Sequence, residues 1–147
     1  MNQIQIRHYR VEGLACTPWA ETLKTLNDLC RQMAPRFAAM DLQLALQEVE
    51  LPDTPENRAF GNLVTLACPE ADQPETALEA LLGVRVEHDP CEECGDICRT
   101  LVVEEGARFQ ALPSGLLMDG ILRMAFSVIA PEGGCSGSCG SCSGCCG

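Results

Sequence analysis

The sequence lacks the features of several broad protein classes. No run of apolar residues approaches the roughly 18 that a membrane helix requires, although 46% of the residues are hydrophobic. Basic residues are scarce, because 10 lysines and arginines stand against 21 aspartates and glutamates, for a formal net charge of −11. So acidic a surface repels phosphate backbones and anionic lipid head groups, and we expect neither nucleic acid nor a membrane as partner.

Residue patterns of common catalytic sites are also missing. The chain shows no paired carboxylates, no Ser–His–Asp set and no phosphate-binding loop, which argues against classical hydrolase chemistry. The first ten residues contain no apolar segment typical of a secretory leader and no small-residue cleavage site. We therefore expect a soluble, cytoplasmic protein whose thiols are kept reduced.

Cysteine, in contrast, is abundant, with 11 among the 147 residues. In a reducing compartment, clustered cysteines indicate metal binding or redox chemistry more often than structural disulfides. The length suits one domain, but residues 131–147 contain 6 Gly, 4 Ser and 5 Cys and almost nothing apolar besides the cysteines. We predict a folded domain over 1–130 and a flexible, metal-binding Gly/Ser/Cys-rich tail over 131–147.

Periodicity predicts a βαβ unit followed by a second set of elements. Alternating apolar residues predict strands over 4–11 and 42–51. Thr17 as N-cap and Pro18 at the first helical position predict a helix between them that ends at Pro35. Its apolar stripe would be formed by Leu23, Leu26, Cys30 and Met33.

Further along, we expect a short strand over 62–66, a short helix over 74–82 and a hairpin that joins 100–104 to 108–112. Ser114 is expected to cap a last helix, which Gly120 would weaken. Together, these elements predict a fold of the α/β (α+β) class in the order βαβ, irregular middle, ββα.

Cys16 lies between the first strand and the first helix. Backbone N–H groups and the positive end of the helix dipole favour a thiolate there, so Cys16 is a candidate catalytic nucleophile or soft-metal ligand. The alternative is an inert, half-buried thiol. Trp19 stands where a C-x-x-C motif would place its second cysteine, so any resolving thiol must come from elsewhere, such as Cys91, Cys94, Cys98 or the tail.

Cys91, Cys94 and Cys98 form a C-x2-C-x3-C motif. Turn-forming residues around them let the backbone wrap round one ion, and His88 can complete a Cys3His set. Structural zinc sites, however, usually join two separated ligand pairs. A surface loop that holds a redox disulfide is the alternative.

The tail carries five further candidate metal ligands, separated only by glycine and serine: Cys135, Cys139, Cys142, Cys145 and Cys146. Small spacers let several sulfurs converge on one ion, and such a segment can fold on binding metal. The adjacent pair at its end suits soft ions, and the first three match a spacing used by some iron–sulfur ligands. The alternative is a low-complexity tail with incidental cysteines. We interpret Cys30 and Cys68 as packing residues.

The βαβ–ββα order, the Cys91-Glu-Glu-Cys94-Gly-Asp-Ile-Cys98 loop and the hairpin leading through Leu112-Pro113 resemble a thioredoxin-like domain-of-unknown-function family, number 2703. The resemblance covers roughly residues 3–127. It implies a thioredoxin-like fold with thiol or metal chemistry. Family members often carry C-x-x-C at the first strand–helix junction, where this chain has Cys16 and Trp19, and the tail lies outside the resemblance.

Three functions remain open from the sequence. The first is binding or transfer of a soft metal ion (zinc, copper, mercury or arsenic) or an iron–sulfur cluster. The second is a thiol–disulfide oxidoreductase in which Cys16 attacks and a remote cysteine resolves, with a disulfide-bearing protein as partner. The third is an interaction module with structural zinc.

Overall fold

The computed structural model describes residues 1–91, 96–104 and 106–130. They form a mixed α+β domain, as expected, with seven strands and four helices in the described ranges. The strands are β1 (Asn2–Val11), β2 (Leu42–Leu51), β3 (Val64–Cys68), β4 (Gln73–Ala77), β5 (Arg85–Cys91), β6 (Asp96–Val102) and β7 (Arg108–Phe109). The helices are α1 (Thr17–Ala39), α2 (Pro55–Arg58), α3 (Leu78–Leu82) and α4 (Ser114–Ile129).

The main sheet has the strand order β2-β1-β3-β4. β1 and β2 pair in parallel from Asn2↔Leu42 to Val11↔Leu51, so the predicted βαβ unit is confirmed. β3 runs antiparallel to β1, and β4 runs antiparallel to β3. β1 is therefore a central strand, and its C-terminal end leads directly to the start of α1.

Helix α1 continues beyond Pro35, where we expected it to end, and reaches Ala39. Pro35 lies on the exposed face, so the carbonyl that loses its N–H partner can be hydrated, and Phe37 buries the last turn in the core. The buried stripe is also slightly rotated from the predicted one, because Leu23 and Cys30 are only half-buried. Its members are Trp19, Thr22, Leu26, Leu29, Met33 and Phe37.

The predicted helix over 74–82 is correct only for its second half. Residues Gln73–Ala77 form β4, and the helix is limited to Leu78–Leu82. The Glu75 carboxylate accepts hydrogen bonds from Thr65 Oγ1 (2.6 Å) and Arg7 Nη1 (3.0 Å). These contacts hold the segment against the sheet, and Pro74 is tolerated because β4 is an edge strand.

A second, three-stranded antiparallel sheet has the order β5-β6-β7. The predicted hairpin is present as the β6–β7 pair, but it is short and does not join the main sheet. In the main sheet, the antiparallel partner of β1 is β3. The larger hairpin of the second sheet is β5–β6, paired from Arg85↔Val102 to Cys91↔Asp96, which the sequence interpretation missed.

Helix α4 begins at Ser114 as its first residue, with Pro113 as N-cap, so Ser114 does not cap the helix. Gly120 is buried against α3, and a Cβ at this position would overlap Leu78 Cδ1. The glycine that weakens the helix locally therefore permits close packing of α3 on α4. Within the described ranges, no helix combines the length and apolar character needed to cross a bilayer.

Candidate metal centre

Three cysteine sulfurs from distant parts of the chain meet in one small cluster. Cys16 Sγ lies 3.1 Å from Cys91 Sγ and 3.5 Å from Cys98 Sγ. All three sulfurs lie within 4.8 Å of one another. These residues are separated by 75 and 82 positions in the sequence. The fold thus joins the cysteine at the first strand–helix junction to two cysteines of the C-x2-C-x3-C motif.

Cys16 is the N-cap residue of α1, and its extended backbone (φ −150°, ψ 137°) ends the β1–α1 turn. The turn contains Gly13 at φ +79°, a conformation that glycine adopts without strain. The Cys16 carbonyl accepts the N–H groups of Trp19 and Ala20 at 3.1 Å. Its sulfur is therefore at the positive end of a 23-residue helix, which favours the thiolate.

Cys91 and Cys98 lie on neighbouring strands of the β5–β6 hairpin. The register pairs Asp89 with Cys98 and Cys91 with Asp96, so the two cysteines are diagonal neighbours on one face of the sheet. Arg99, the next residue of β6, is buried and donates to Glu79 Oε2 of α3 at 2.6 Å. This ion pair connects the β5–β6 hairpin to α3, and so it helps to hold Cys98 in place.

The surroundings of the three sulfurs are apolar. Val11 and Trp19 are buried in the same cluster, and Leu14 packs against it. In the part of the chain that the structure describes, the group of potential metal ligands contains only cysteine, with no histidine or carboxylate. Sulfur ligands of this kind select soft ions over hard ones such as magnesium or calcium.

Trp19 holds one side of the cluster and packs directly on Gly61. A Cβ at Gly61 would lie 2.6 Å from Trp19 Cη2 and closer still to Cζ2, too near for any real contact. We therefore expect Gly61→Ala to lower the free energy of unfolding by about 1–3 kcal/mol, as overpacking does. Urea unfolding checks this, with Gly115→Ala as control, since its Cβ would meet nothing within 4 Å. Equal stability of the two variants would contradict the packing role.

The other predicted site residues are distributed as follows. His88 Nε2 donates to the Ala59 carbonyl at 3.1 Å, and His88 is not in the described cysteine group. Cys94 and all five tail cysteines lie outside the described residues. Burial raises the pKa of the Cys30 thiol and of the Cys68 thiol, in accord with their interpretation as packing residues.

Sequence reasoning placed Cys91 and Cys98 in one compact loop and offered them only as two of several possible partners of Cys16. A signal was available in Val84, Val86 and His88, which alternate with charged residues at the spacing of a strand. That alternation predicts β5, and β5 carries Cys91 at its end. The packing of the β5–β6 hairpin against the start of α1, in contrast, leaves no comparable local pattern in the sequence.

The fold and the site define a mixed α+β protein with a buried three-cysteine centre. The model of a family described as a domain of unknown function, DUF2703, matches residues 3–121. The chain belongs to this family, and the match contains all three cysteines of the centre. No curated protein and no solved structure matches the chain. The predicted family membership is thereby confirmed.

Proposed function

We propose that this protein binds a soft metal or metalloid ion through Cys16, Cys91 and Cys98. The observation that carries the proposal is the convergence of three sulfurs within 4.8 Å of one another. Three metal–sulfur bonds of about 2.3 Å at about 120° place the sulfurs about 4.0 Å from one another. The distances of 3.1 and 3.5 Å would therefore lengthen by less than about 1 Å, and the Cys91–Cys98 distance, which is within 4.8 Å, would shorten by no more than about 0.8 Å.

The environment favours an ion that takes three thiolates. The start of α1 stabilises negative charge at Cys16, and the apolar walls around Trp19 exclude competing water ligands. An ion with charge +2 or +3 offsets the mutual repulsion of three thiolates. Arsenic(III) is a suitable probe, because arsenous acid reacts with three thiols to form three arsenic–sulfur bonds, and its three hydroxyl groups leave with the thiol protons as three molecules of water.

We extend the proposal to the tail as a second metal-binding segment and to a thioredoxin-like fold for the domain. The five tail cysteines would add a second set of sulfurs for binding or for transfer of the ion. The strand order of the main sheet, with a parallel βαβ unit beside an antiparallel pair, supports the thioredoxin-like body. Iron–sulfur binding remains within the proposal, because sulfur ligands alone do not choose between the soft ions and a cluster.

The test uses the full-length chain with all five tail cysteines replaced by serine, here called the tail-serine variant. It is reduced, kept free of oxygen and titrated with arsenite. We expect one arsenic per chain by elemental analysis, near-ultraviolet absorption from arsenic–sulfur bonds, and protection of three thiols from a thiol reagent. The unmodified chain is expected to bind more arsenic, because its tail offers five further sulfurs.

Two results would overturn the proposal. Absence of bound arsenic in the tail-serine variant would show that the three sulfurs do not act together. Bound arsenic that leaves Cys16, Cys91 and Cys98 open to the thiol reagent would move the site elsewhere. One tightly held zinc per chain, with no exchange for arsenite, would support the structural-zinc alternative.

A thiol–disulfide oxidoreductase is the second candidate, and the Cys16–Cys91 distance favours it. Sulfurs 3.1 Å apart need to approach by only about 1 Å to reach the disulfide bond length of about 2.05 Å. Cys91 would then be the remote resolving thiol that Trp19 makes necessary. Both candidate functions use the same sulfurs, so a bound ion and a Cys16–Cys91 disulfide cannot be present in one molecule at the same time.

A further inference from the structure

Strand β2 is an open edge of the main sheet. The strand order β2-β1-β3-β4 places it at one end, and within the described residues it pairs only with β1. In a parallel pair, alternate residues direct their backbone N–H and C=O groups toward the neighbouring strand, and the residues between them direct theirs away from it. Along its ten residues, β2 therefore presents a row of backbone donors and acceptors to which another strand can bind.

The two edges of this sheet differ in their protection against such pairing. β4, the opposite edge, has five residues, contains Pro74 and pairs with β3 through a register shift between Leu66 and Cys68. A short strand, a proline and an irregular register are common means by which proteins block an edge. β2 has ten residues, follows β1 without a register shift and contains neither lysine nor proline. Of the two edges, β2 is thus the one that is open to pairing.

The sequence of β2 is complementary to itself. Gln43-Leu44-Ala45-Leu46-Gln47 reads the same in both directions, with Ala45 at its centre. Two antiparallel copies related by a two-fold axis through Ala45 place Gln43 opposite Gln47 and Leu44 opposite Leu46. The glutamines are exposed, and the leucines pack against the core, so like side chains meet on each face. Matched cross-strand pairs of this kind stabilise a sheet.

The same arrangement matches the backbone. A two-fold axis perpendicular to the sheet keeps the core-facing surfaces of both copies on one side, so residues opposite each other differ in number by an even count. The pairs 43 with 47 and 44 with 46 meet this condition. The outward backbone groups of one copy therefore meet the outward groups of the other.

Charge favours the antiparallel direction. The acidic residues of β2, Glu48 and Glu50, both lie in its second half. A parallel pair in register would place them side by side, whereas the antiparallel pair separates them toward opposite ends. Within each copy, Arg10 Nε lies 3.7 Å from Glu48 Oε1, and its Nη2 lies 3.4 Å from Glu50 Oε2. The edge thus presents little uncompensated charge to a second copy, although the chain as a whole is acidic.

We propose that two copies of this chain pair through β2, in an antiparallel register centred on Ala45. Their two four-stranded sheets then form one continuous sheet. Because the β4 edge is blocked, the assembly closes at two copies. The contact is small, so we expect a reversible dimer with a dissociation constant of about micromolar magnitude. The three-cysteine centres take no part in the contact, and this inference does not depend on metal binding.

Sedimentation velocity of the tail-serine variant, with reductant and chelator, tests the pairing without disulfide-linked or metal-linked dimers. From about 1 to about 200 μM, we expect a monomer to give way to a dimer. Ala45→Lys and Ala45→Glu should each weaken the dimer by about tenfold or more, because like charges face each other at the axis. An equimolar mixture of the two variants should dimerise again, because the introduced lysine of one chain faces the introduced glutamate of the other.

Ala77→Lys is the matched control, because it makes the same change at a half-buried alanine of the other edge strand, β4. It should dimerise like its parent, and circular dichroism establishes that each variant is folded. A parent that stays monomeric throughout would overturn the proposal and leave the edge to a strand of another protein. An undiminished dimer in Ala45→Lys, or a mixture that stays monomeric, would contradict an axis at Ala45. Arsenite binding to the same proteins separately decides the metal proposal.

Discussion

Replacing Cys16, Cys91 or Cys98 individually by serine is expected to weaken arsenite binding to the tail-serine variant by more than about 100-fold. That factor is the upper range for residues that merely support a metal ligand, and the loss of a ligand itself should exceed it. A serine hydroxyl is a hard, protonated donor that does not replace a thiolate on a soft ion. Competition against a small dithiol measures the affinity of each variant.

Cys30→Ser is the matched control, because Cys30 is on the same helix as Cys16 but lies outside the three-sulfur group. It should bind arsenite like its parent. Far-ultraviolet circular dichroism establishes that each variant is folded. If one of the three substitutions leaves the affinity unchanged, that cysteine is not a ligand, and the remaining two sulfurs define a weaker, two-coordinate site.

The sequence predicted the first half of the domain well because local signals determine it. Alternating apolar residues set β1 and β2, and Pro18 in the first turn set the start of α1, although the N-cap is Cys16 and not the predicted Thr17. Cys16 was singled out as a functional candidate for the same local reason. The helix end was missed because the effect of Pro35 depends on whether its face is buried, which is a tertiary property.

The three-sulfur arrangement could not be predicted in the same way. It depends on contacts across 75 and 82 positions, on the β5–β6 pairing and on the packing of Trp19 against Gly61. None of these leaves a periodic pattern near Cys16. The motif spacing identified Cys91 and Cys98 as a set, and the fold selects them from the several possible partners of Cys16. The function of the tail stays a prediction.

Oxidation of the three-cysteine centre is expected to have the second large effect on arsenite binding. It involves the same sulfurs as both candidate functions, metal binding and thiol–disulfide exchange. Treatment of the reduced tail-serine variant with a small organic disulfide should join Cys16 to Cys91. Two protein thiols become one disulfide, and the reagent is reduced to two thiols. Peptide mapping identifies the linked pair. Because two of three ligands are then consumed, arsenite binding should be lost by more than about 100-fold and return on reduction.

The Cys91→Ser variant separates a specific pair from general oxidation. Cys98 Sγ is 3.5 Å from Cys16 Sγ, against 3.1 Å for Cys91, so a Cys16–Cys98 disulfide should form more slowly and only when Cys91 is absent. Mixed linkages to Cys30 in the parent would contradict a defined pair. Turnover of a disulfide substrate that disappears in Cys16→Ser would make the enzyme the better description. A disulfide that forms once, without turnover, instead makes oxidation the means by which a metal-binding centre releases its ion.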